Sequence, residues 1–127
     1  MTRTRIAKDF EKKWLRAFAS SVSKKQYTTY IKDQYIWHVF TFRLVPDDTY
    51  LSGDQAREAY NRVNKSGARY VKEYGGKQMN PLPELLEKAC ELDKYTEIYV
   101  VGDAYAWSYI KTHEGDYCGP FFIIRTE

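Results

Sequence analysis

A chain of 127 residues with 43% hydrophobic and 29% charged content is sized for one core, which excludes a large multidomain enzyme. No apolar run approaches the roughly 20 residues that cross a bilayer, and the basic N-terminus lacks the apolar stretch of a secretory signal, so a cytoplasmic address without membrane contact is expected. The net charge of +3 divides unevenly: residues 1–25 hold eight Lys/Arg against two Asp/Glu, a net of +6, and the other 102 hold twelve against fifteen, a net of −3.

The first predicted element is a helix over Asp9–Ser20. Phe10, Trp14, Ala17 and Phe18 recur as one apolar stripe, while Lys8, Lys12 and Arg16 step by four along the far side. Three cations so placed are what a solvated face requires, which ranks a nucleic-acid role for residues 1–25 third and makes nucleic acid an unexpected partner. Ser23 followed by Gln26 has capping-box spacing for a short helix reaching Ile31. Tyr35–Val45 then reads as a strand rich in β-branched and aromatic residues. Alternation puts Ile36, His38, Phe40, Phe42 and Leu44 on its core face and Trp37, Val39, Thr41 and Arg43 on the other.

Pro46-Asp47-Asp48 ends that segment, and Ser52-Gly53-Asp54 opens a helix to Asn64 with the stripe Ala56, Ala59, Tyr60 and Val63. A second strand is expected over Ala68–Tyr74, closed by Gly75-Gly76. Prolines 81 and 83 introduce a helix over Leu82–Leu92, with Leu82, Leu85, Leu86 and Ala89 inward and Cys90 as a small buried group. Glu97–Val101 is a short buried strand. Tyr105–Thr112 and Pro120–Arg125 then form a hairpin around the polar loop His113–Gly119. This order implies an α+β domain over residues 1–127, with a mixed, mainly antiparallel sheet, helices packed on one face and a C-terminal β-hairpin.

Complete catalytic signatures are missing. His113-Glu114 lacks the second histidine of a zinc helix, the glycines at 75 and 76 lack phosphate-loop spacing, and no serine or cysteine sits in a nucleophile elbow. Two cysteines make no disulfide framework and are expected as thiols. His38, Trp107, His113, Glu114 and Cys118 are read as a structural motif or, alternatively, as the site of a metal-dependent or His/Glu-based hydrolase. No cofactor or metal is expected. The compositional outlier is tyrosine, with 12 residues, more than a core of this size absorbs. A protein-contact surface follows, with Tyr50 and Tyr117 as anchors and Asp47, Asp48, Asp54 and Asp116 around them.

Several stretches together resemble the YxiF-like bacterial proteins, a family of unknown function. They are Trp14 with its polar helix, Tyr35–Thr41 (YIWHVFT), Gly53-Asp54-x-Ala56, Tyr99-Val100-Val101, Trp107-x-Tyr109, Thr112-His113-Glu114 and Gly119-Pro120-Phe121-Phe122. Relatives in that family occur beside polymorphic toxins and their immunity genes. The resemblance therefore implies an immunity-type role, in which the partner is a toxin domain.

Overall fold

The structure is a computed structural model describing residues 8–32, 34–72 and 79–125, with Asp116 described in its backbone alone. Expectations on residues 1–7, Asp33 and the Glu73–Gly76 end of the second predicted strand lie outside the described residues. One antiparallel sheet organises the rest. Its strands are β1 (Tyr50–Ser52), β2 (Arg69–Lys72), β3 (Asn80–Pro81), β4 (Ile98–Val101), β5 (Trp107–Lys111) and β6 (Phe121–Ile124), in the order β1-β6-β5-β4-β2-β3. The C-terminal hairpin is β5 against β6, with Tyr109 opposite Phe122.

Alternation along the central strands makes two apolar faces, because successive side chains point to opposite sides. Tyr99 and Val101 of β4 join Ile110, Phe121 and Ile123 in one layer. Ile98 and Val100 join Trp107, Tyr109 and Phe122 in the other. The first layer is covered by α1 (Lys8–Phe18), α2 (Lys24–Gln26, continued by a wider turn over Tyr27–Ile31) and α3 (His38–Thr41). The second is covered by α4 (Gly53–Arg62) and α5 (Ala89–Leu92). The α+β class, the mainly antiparallel sheet and the hairpin are as expected; the described strand pairs are all antiparallel where a mixed sheet was expected, and the helices occupy both faces rather than one.

Helix α1 buries Phe10, Trp14 and Phe18 as its spacing predicts. Each such side chain contributes about 1.5–3 kcal/mol on burial. Trp14 is fully enclosed, and its indole N–H donates to Ser108 Oγ at 2.9 Å. The Ser108 hydroxyl in turn donates to the Val100 carbonyl at 2.9 Å, so this buried polar pair is satisfied. The capping box forms as well: Ser23 N–H donates to Gln26 Oε1 and Gln26 N–H to Ser23 Oγ.

Two elements differ from expectation. Tyr35–Val45 is no strand but a turn followed by the single helical turn α3, ended by Arg43 at φ 56°. Its backbone bonds close locally, as in Phe40 N–H to the Trp37 carbonyl and Phe42 N–H to the His38 carbonyl. Ile36, Val39 and Phe40 are buried at helical spacing, and Phe42, expected inside, is 49% exposed. Strand propensity describes side chains that suit a half-buried surface, and a compact turn satisfies the same residues. The helix over Leu82–Leu92 is likewise divided. Pro83 leads into a 3-10 turn over Glu84–Glu87, Lys88 is extended, and only Ala89–Leu92 is α-helical. The phase change turns Leu85 and Cys90 outward and keeps Leu86, Ala89 and Leu92 in the core.

Candidate functional site

The strongest polar cluster grows from Glu97, just before β4. Alternation places it on the Tyr99–Val101 face, so its carboxylate enters the core and is fully buried. A buried carboxylate needs donors. Tyr99 donates its hydroxyl to Oε2, and His113 donates its backbone N–H to Oε1 at 3.1 Å. His113 Nδ1 lies 2.8 Å from the same Oε1 and is the third donor. In the neutral ring with its proton on Nδ1, Nε2 carries the lone pair, and Glu114 Oε2 stands 3.9 Å away. An imidazole oriented in this way can accept a proton or a hydrogen bond from a ligand.

His38 points its Nδ1 at the Tyr30 carbonyl, 2.7 Å away, in a structural bond. Tyr35 and Trp37, stacked on each other at 4.8 Å, each contact both imidazoles. Among the described residues no three His, Cys, Asp or Glu side chains gather in a way that could hold a metal ion. Burial, then Glu114 and Glu97, push the Cys118 thiol up to about 11, which keeps it protonated and poorly nucleophilic near neutrality. A raised thiol value means that thiolate, and reactivity, arrive only as the pH climbs toward it. Iodoacetamide at about pH 8 should therefore alkylate exposed Cys90 and spare Cys118, whose labelling rises only above about pH 10. Peptide mass mapping reads both sites, and preferential labelling of Cys118 near neutrality would restore it as a nucleophile.

Trp107 is a packing residue. Its ring stacks on Phe122 and meets Tyr60 edge-on, both at 5.8 Å. On that face burial raises the Tyr60 and Tyr109 phenols, and Tyr60 donates to the Leu86 carbonyl at 2.6 Å.

The expected contact residues divide into two groups. A cleft of about 660 Å³ opens along the β1 edge, bringing together Tyr50, Asp47, Tyr117 and Cys118 with Phe40, Leu51 and Phe121. Tyr117, in the turn before Cys118, is 99% exposed. Tyr50 is half-buried against Phe40 and Phe121, and burial followed by Asp47 raises its phenol. Arg43 and Asp47 give the rim both signs of charge. Asp48 lies exposed in the turn after Pro46, apart from the cleft lining. Asp54 sits on the first turn of α4, paired with Arg57 at 3.1 Å, and the Asp116 side chain lies outside the described residues. Tyr60, Tyr99 and Tyr109 are buried, so the core absorbs only part of the tyrosine excess.

Sequence reasoning passed over Glu97, Leu51 and Phe40 as site residues. Glu97 was legible in principle: a lone carboxylate sharing the inward face of Tyr99 and Val101 must have a buried partner. Leu51 carried no such signal, because Tyr50–Ser52 did not read as a strand.

The sheet and its two helical layers define an α+β protein built on one antiparallel sheet. The chain belongs to the family of a domain of unknown function, DUF4275, which matches residues 3–122. No curated protein and no solved structure matches it significantly. Among the described residues, no helix is long and apolar enough to cross a membrane.

Proposed function

We propose that this chain is a cytoplasmic binding protein that grips another protein through the Tyr50–Tyr117 face. The observation that carries this reading is Tyr117, whose ring is 99% exposed beside an open cleft with an aromatic floor and a charged rim. A tyrosine so placed offers a partner a large, stiff apolar surface at small entropic cost, and Leu51, also exposed, extends it. The resemblance to the YxiF-like proteins is what supports a toxin domain as the partner and an immunity role.

Tyr117→Ala should weaken capture of the cellular partner by about 2 kcal/mol, or about thirtyfold, with little change in thermal midpoint because Tyr117 is 99% exposed. Capture by the variant at parental strength would remove Tyr117 as an anchor. The alternative, a His/Glu-based hydrolase, is favoured by the Glu97–His113 geometry alone. Under it Tyr117→Ala would leave activity intact and His113→Asn would abolish it.

A further inference from the structure

Lys8, Lys12 and Arg16 line a groove of about 690 Å³ between α1 and the α2 region, with Lys24 completing the cationic rim. Leu15, Ala19, Val22 and Tyr27 form its apolar wall. The carboxylates on this groove are engaged within the chain: Asp9 pairs with Lys13 at 3.3 Å, and Glu11 accepts the Tyr27 hydroxyl at 2.6 Å. The four rim cations have no ion pair or side-chain hydrogen bond among the described residues. A concave apolar strip edged by uncompensated positive charge selects an occupant that is apolar and acidic at once.

We propose that the α1–α2 groove docks an acidic protein segment carrying large apolar side chains, independently of the Tyr117 face. Charge complementarity orients the segment, and the apolar wall supplies contact area, the helix-in-groove or extended-segment mode of peptide recognition. Nucleic acid fits less well, since the wall is mainly aliphatic and Asp9 and Glu11 lie among the lining residues. A membrane surface also fits less well, because the large apolar residues of α1, Phe10, Trp14 and Phe18, face the core.

The test is fluorescence anisotropy with the full chain at physiological salt. The probe is a short fluorescein-labelled peptide with leucines at every third or fourth position among glutamates. Binding should weaken about tenfold when Lys12→Glu and Arg16→Glu are combined, and about tenfold again when the probe's leucines become serines. It should persist in Tyr117→Ala, which separates failure of this groove from failure of the other face. Lys12→Gln with Arg16→Gln, which removes charge without reversing it, checks that any loss is local, and thermal midpoints check that each variant folds. Absence of binding by the parent, equal binding of the serine probe, or tighter binding of single-stranded DNA or phosphatidylglycerol vesicles would overturn the proposal.

Discussion

Replacing Glu97 with alanine should lower the thermal midpoint by about 10 °C, a loss near 3 kcal/mol for a chain of this size. The carboxylate accepts the Tyr99 hydroxyl and two donors of His113. His113 is about a third exposed, so water can replace the lost acceptor and its ring bond adds little to the cost. The Tyr99 hydroxyl loses its Glu97 acceptor inside the core, since that residue is buried. Removing one partner of a buried hydrogen bond costs about 1–3 kcal/mol, and the space vacated by the side chain adds a cavity term. Glu97→Gln keeps the volume and one acceptor oxygen but turns an amide toward a donor, so it should fall between alanine and the parent. Calorimetry of the three proteins checks the order. An alanine variant within about 2 °C of the parent would mean that water replaces the carboxylate, and that the 113–119 loop does not depend on it.

Gly102→Ala should be at least as damaging. Gly102 has φ −74°, which alanine adopts freely, so backbone strain is not the issue. A Cβ there would lie 2.3 Å from Trp107 Nε1 and 2.6 Å from Cδ1, where no atom can sit. The indole cannot retreat at low cost, held as it is by Phe122 and Tyr60. Gly102 N–H also donates to the Trp107 carbonyl at 2.9 Å, so pushing the two apart opens the link between β4 and β5. Overpacking of this kind costs about 1–3 kcal/mol where neighbours yield and more where they do not. We expect a loss of about 3 kcal/mol or more, read by denaturant titration. Combining Gly102→Ala with Trp107→Leu separates clash from other causes. The double variant should be more stable than the sum of the single losses allows. Strict additivity would show that the indole is not what the methyl group meets.

Local chemistry settled much of this protein in advance. The α1 stripe of Phe10, Trp14 and Phe18, the Ser23–Gln26 capping box, the helix opening at Gly53 and the β5–β6 hairpin all follow from periodicity and turn residues. Each depends on interactions within a few residues, or on alternation that only one face can satisfy. Tyr35–Val45 and Leu82–Leu92 were ambiguous for the opposite reason. Both are apolar enough to suit more than one backbone, and burial against the sheet chose among them. Only tertiary structure could bring Glu97 to His113 across 16 residues, carry Tyr117 to the edge of β1, and set Lys12 and Arg16 beside a groove. Those juxtapositions depend on strand order and on which face each helix covers, and a pattern read along the chain contains neither.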